Sequence, residues 1–162
     1  MNIYLAGPLF TVAEREFNAR LKEQLEKYGH RIWLPQEHES PNRAARRIFD
    51  DDVAAIDDAE VVVANMDGPD PDSGTCWECG YAYGKGKPYL LFRTDCRVAD
   101  KRDRAPFNPM LAASAWRPPM DLAFADLETI AKTIDHELAM LALALRSSRH
   151  PANQGVKVKP EE

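Results

Sequence analysis

The segment Glu60–Met66, "EVVVANM", constrains the fold more than any other part of the chain. Its unbroken β-branched run lacks the polar alternation of a half-exposed strand, so it suits a parallel strand covered on both faces. The pieces around it agree. "NIYLA" (2–6) reads as a short strand ending at Gly7-Pro8, and a helical period with Phe17, Leu21 and Leu25 follows from about Val12 to Tyr28. "RIWLP" reads as a second strand closed by Pro35, and "RAARRIFDDDVAAI" as a helix with Phe49, Val53 and Ile56 on one face. After the central strand come a helix from about Thr75 to Tyr83 and a fourth strand, "PYLLF". Strands alternating with helices predict an α/β domain built on a parallel sheet.

From Arg93 to Pro119 the pattern gives way to a charged, proline-containing stretch, with a short fifth strand expected near Ala115 and Trp116. A final helix is expected from about Asp126 to Leu145, and its end, "LAMLALAL", is apolar nearly all round, which implies burial against a partner subunit as well as the core. The reading is one domain over 1–146 and a disordered tail over 147–162, with no second domain. The net charge of −5 argues against nucleic acid as a partner, since phosphate binding needs a basic face. With no signal-like start and no apolar run of about 20 residues, a cytoplasmic protein is expected. Three cysteines, an odd number, imply no disulfide framework.

The chain leaves the central strand through "DGPDPDSGTCWECGYAYGKGKP" (67–88). In a parallel sheet, ligands bind beyond the carboxyl ends of the strands, where this loop, "GPLF" and "PQEHES" converge. Cys76-x-x-Cys79 matches a thioredoxin-like pair, but an ionised Glu78 between the thiols opposes the lowered pKa that a reactive thiolate needs. Zinc wants about four ligands, and no second Cys-x-x-Cys is present. Thr75-x-x-Glu78 also fits a capping box, and Asp70 and Asp72 fit a solvated turn. The catalytic alternative is that a carboxylate in the first helical turn is kept anionic by the helix N-terminus, and so is a competent nucleophile. Asp50, Asp51 and Asp52 project about 100° apart along a helix and cannot share one metal; only Asp52 lies at the edge of the buried face. "GKGKP" ends a helix instead of opening one, so it reads as a C-cap and not as a phosphate loop.

Together "IYLAGPLF", the D-x-G-x-x-x-E-x-G-Y-A core from Asp72 to Ala82, and "NPML" resemble the nucleoside 2-deoxyribosyltransferases, over most of residues 2–145. The resemblance implies a flavodoxin-like, doubly wound parallel sheet of four to five strands and a homo-oligomer that needs no cofactor. It implies Glu78 as nucleophile, Tyr4 as the residue orienting it, and Asp72 with Asp52 as the groups that bind and protonate the base. Gly7 and Phe10 fall in the first loop of the binding site, and Asn108 and Met110 are implied to reach the sugar in the neighbouring subunit's site. Gln36 is a further candidate for the sugar. The implied partners are 2′-deoxynucleosides and free nucleobases, with neither nucleic acid nor membrane. Cys79 stands where an aliphatic residue is usual. The rivals are an N-glycosidase acting on nucleosides or their 5′-monophosphates, a thiol oxidoreductase and a non-catalytic nucleoside-binding module. "GPLF" offers no Ser or Arg for a phosphate, which favours nucleosides.

Overall fold

The computed structural model describes residues 1–38, 44–97 and 108–148. Five parallel strands, β1 (Asn2–Ala6), β2 (Arg31–Trp33), β3 (Val61–Asn65), β4 (Tyr89–Arg93) and β5 (Met120–Asp121), form one sheet in the order β2-β1-β3-β4-β5. The chain first steps outward from β1 to β2, then crosses back to place β3 on the other side of β1. The order therefore reverses between β1 and β3, which opens a crevice at their carboxyl ends.

Helices α1 (Val12–Lys27) and α5 (Leu127–Ser148) cover one face, and α2 (Ala45–Asp58) and α3 (Ser73–Gly84) cover the other. The central strand explains its own composition: Val61 and Val63 pack towards α1 and α5, whereas Val62 and Ala64 pack towards α2 and α3. All five of its residues are buried, so no polar alternation could be tolerated. A true capping box does occur, at Thr11 and Glu14 of α1, with both reciprocal bonds made. The lysines of "GKGKP" serve α2: Lys87 Nζ donates to the Asp57 and Ala59 carbonyls, at 2.8 and 2.6 Å, as α2 ends.

Two expectations need correction. The fifth strand lies further along, at Met120–Asp121, paired with Phe92 and Arg93. Trp116 gives β4 one bond, from its N–H to the Tyr89 carbonyl, but Pro118 and Pro119 have no N–H, so the ladder forms only after them. Part of the stretch taken as irregular is a short helix, α4 (Pro109–Ser114), which Asn108 caps and which leans on α3 through Leu111. At the end of α5, Leu138 and Leu141 are fully buried in the core, whereas Met140 and Leu143 are exposed in the single chain. The helix runs to Ser148, into the segment assigned to the tail, and 149–162 lie outside the described residues. Among the described residues no helix is long and apolar enough to cross a membrane.

Candidate active site

Helix α3 begins two residues earlier than expected, and its N-cap is Asp72. Asp72 Oδ2 accepts from the Thr75 backbone N–H (2.9 Å) and from the Thr75 hydroxyl (3.1 Å). Thr75 is thus a first-turn residue held by the cap, not the cap itself. The capping box proposed for Thr75 and Glu78 therefore does not form, because Glu78 sits too deep in the helix to reach back to it. Gly74 makes room for the Asp72 carboxylate: a Cβ there would stand 3.0 Å from Oδ2.

Glu78 is instead fixed from the sheet. The Tyr4 hydroxyl on β1 donates to Glu78 Oε1 at 2.6 Å, a short bond to a charged acceptor. Tyr4 is fully buried. Burial, and after it the negative charges of Glu78 and Asp52, push its phenol far above the usual tyrosine range. The hydroxyl keeps its proton at any ordinary pH and stays a donor. Asp52 on α2 approaches the same phenol, so three elements meet around one buried oxygen.

These groups line a cavity of about 180 Å³ bounded by Gly7, Leu9, Phe10, Pro35, Asp52, Asp72, Gly74, Thr75 and Glu78. It opens at the carboxyl ends of β1 and β3, where the strand order reverses. Gly7 has no room for a side chain, since a Cβ would meet the Asn65 Cβ at 3.0 Å. Buried Asn18 ties the first two loops together by donating to the Pro8 carbonyl (2.9 Å) and to Gln36 Oε1 (3.2 Å). Gln36 in turn donates to the Arg15 carbonyl, so its amide braces the loops and is absent from the cavity lining. Two larger cavities lie elsewhere, about 340 Å³ between β2 and α2 and about 470 Å³ between α1 and the start of α5. Neither gathers carboxylates around a buried phenol, and chemistry outweighs size here.

Of the residues singled out in the sequence, Tyr4, Gly7, Phe10, Asp52, Asp72 and Glu78 are brought together. Asn108 and Met110 are not. Asn108 caps α4 by accepting from the Met110 N–H (2.9 Å), both residues are exposed, and neither lines the cavity. Cys76, Cys79 and Cys96 are unpaired, and burial pushes the Cys76 and Cys79 thiols upward. Asp70 and Asp72 add to this at Cys76, and Glu78 adds to it at Cys79, the reverse of what a reactive thiolate requires.

A family model for nucleoside 2-deoxyribosyltransferase matches residues 3–137. The chain belongs to the nucleoside 2-deoxyribosyltransferase family. Solved structures agree. A conserved protein from Enterococcus faecalis V583 is 26% identical, with a TM-score of 0.68 over 85% of this chain and 98% of that one. A 2-deoxyribosyltransferase from Bacillus psychrosaccharolyticus is 25% identical, with a TM-score of 0.61 over 81% of this chain and 90% of that one. A 2-desoxiribosyltransferase from Leishmania mexicana is 25% identical, with a TM-score of 0.57 over 68% of this chain and 84% of that one. None of the curated proteins matches the chain.

In this member of the nucleoside 2-deoxyribosyltransferase family, four lining residues are not among the candidates singled out in the sequence: Leu9, Pro35, Gly74 and Thr75. Leu9 and Pro35 wall the cavity, and Thr75, only 2% exposed, locks Asp72 in place. Arg93, which opens the charged stretch in the sequence, is the buried end of β4. The available signal was its position: a charge directly after "YLLF", at the carboxyl edge of a buried strand.

Proposed function

We propose that this protein exchanges the base of 2′-deoxyribonucleosides through a covalent deoxyribosyl intermediate on Glu78. The observation that carries this reading is the Tyr4–Glu78 hydrogen bond, which fixes one carboxylate at the wall of a cavity shared with Asp52 and Asp72. In the first half-reaction a Glu78 oxygen attacks C1′ as the bond from C1′ to the base nitrogen breaks. The transition state carries oxocarbenium character, and the leaving base takes up a proton. Asp72, with Asp52, binds the base and supplies that proton. In the second half-reaction the nitrogen of another base attacks C1′ and passes its proton back to the carboxylate that protonated the first base, the ester bond to Glu78 breaks, and the Glu78 carboxylate returns. Two inversions retain the β configuration. Tyr4 acts throughout as a neutral donor that orients Glu78, consistent with a phenol that does not ionise.

The reading includes a homo-oligomer. Asn108 and Met110 are exposed at the start of α4, and exposed groups with no role in their own chain's cavity are free to complete a neighbour's. Salvage of nucleosides inside the cell is the matching physiological role.

Hydrolysis is the second reading. Phe10, which lines the cavity, is 71% exposed, so a single chain leaves the cavity open to water, which could replace the acceptor base. One experiment separates the two. The protein is incubated with a 2′-deoxynucleoside and a different free base, and the products are resolved by chromatography. A new deoxynucleoside supports transfer; free base and deoxyribose alone support hydrolysis; neither product sinks both readings.

A further inference from the structure

The turn that leads from β3 towards Asp72 is held by a buried clamp at the end of β4. Arg93 is 4% exposed, yet it makes no use of its position at the sheet edge to reach solvent. Its guanidinium donates to four backbone carbonyls: Met66 (2.9 Å), Gly68 (2.6 Å), Asp95 (3.1 Å) and Arg97 (3.0 Å). Two of these lie on the turn after β3 and two on the loop after β4. A second set of bonds runs the other way. The Asp67 carboxylate accepts from the Thr94 N–H (2.6 Å), the Thr94 hydroxyl (2.5 Å) and the Asp95 N–H (2.8 Å). Asp95, held ionised mainly by Arg97, also takes a bond from the Gly68 backbone.

The chain reverses within this clamp. Gly68 has φ +110, which other residues rarely adopt, and from there Pro71 leads directly into the Asp72 cap. Asp72 is bonded into the start of α3, and the chain that reaches it leaves the Arg93 clamp four residues earlier, at Gly68. Glu78 lies on the far side of the cap and is fixed separately by Tyr4.

We propose that Arg93 is a positioning residue for base departure: through the Met66–Gly68 turn it sets where the Asp72 carboxylate meets the cavity, and it leaves the Glu78 attack largely untouched. The inference rests on the glycosyl-transfer reading above. The guanidinium is suited to the task because its planar fork spans two backbone segments at once, which the single ammonium of lysine cannot do. Small displacements of a catalytic group are costly, about a hundredfold for 1 Å.

The test compares wild type, Arg93→Lys, Asp72→Asn and the double variant. Each is assayed with a natural deoxynucleoside and with a deoxyriboside whose leaving group departs as a stable anion without protonation. Arg93→Lys should slow the natural substrate about 10- to 100-fold and the activated one less than about threefold, mainly in kcat. Added to Asp72→Asn, it should cost less than about twofold more, because both changes remove the same contribution. Equal losses with both substrates, or losses that multiply in the double variant, overturn the proposal while leaving the transfer reading intact. A wild type that neither exchanges nor hydrolyses sinks both. If Arg93→Lys does not fold, Asp67→Asn loosens the same turn from the opposite side and should show the same split.

Discussion

Two helices in this protein start in the same way and end up in opposite circumstances. Asp72 caps α3 by accepting from Thr75, and Asn108 caps α4 by accepting from Met110. Both use a short polar side chain that satisfies an orphan N–H. The α3 cap is braced by the Thr75 hydroxyl and by the space Gly74 leaves, and it walls a cavity. The α4 cap is exposed and takes no part in that cavity. A cap is a local device. Whether it becomes part of a site depends on what the rest of the assembly brings to it.

The largest expected effect tests the first region. Glu78→Gln should keep the fold, since Tyr4 can still donate to an amide oxygen, yet lower base exchange by at least about a thousandfold. Near wild-type exchange would remove Glu78 as nucleophile and reduce the α3 region to architecture.

Next comes the second region. Asn108→Ala should cost only about 1 kcal/mol of stability, the usual worth of an exposed N-cap, read as a small shift in thermal midpoint. Exchange, in contrast, should fall at least tenfold if Asn108 serves a neighbour's site. Co-expressing Asn108→Ala with Glu78→Gln chains should then restore activity, because some sites draw one sound residue from each parent. Mixed oligomers, confirmed by sizing, that stay as inactive as the worse parent would falsify the shared site and confine the comparison to one chain.

A smaller effect separates capping from chemistry at Asp72. Asparagine is as good an N-cap as aspartate, so Asp72→Asn should leave the thermal midpoint nearly unchanged. The variant should slow natural substrates while an activated leaving group recovers much of the rate. A loss that is the same for both substrates would contradict the proton-donor role.

The smallest effect is expected from the thiols. Cys76→Ser with Cys79→Ala should lower stability modestly, through the space left at fully buried Cys79, and keep exchange within about tenfold of wild type. A folded but inactive variant would bring the thiol chemistry back.

How much of this was readable beforehand follows the range of the interactions involved. The bounds of β1 and the existence of β2, β3, β4, α1, α2, α3 and α5 rest on periodicity and on Gly and Pro punctuation, all within a few residues of one another. The fifth strand did not, because a two-residue edge strand after Pro118-Pro119 leaves no periodic trace, and α4 is too short to show one. The acid-rich turn, the Glu between two cysteines and Asp52 at the margin of a buried helix face could be picked out as candidates from residue type and spacing. The sequence by itself therefore determined the layer architecture and the inventory of carboxylates. It could not choose between Glu78 as cap and Glu78 as cavity wall, because that choice turns on Tyr4, which is 74 residues away in the chain and 2.6 Å away in space. Nor could it see that Arg93 is buried among carbonyls of two loops, since those acceptors are backbone atoms and carry no side-chain signature. Tertiary structure decided both. Strand order alone sets which loop ends meet at the β1–β3 switch point, and a desolvated hydrogen bond exists only once they do.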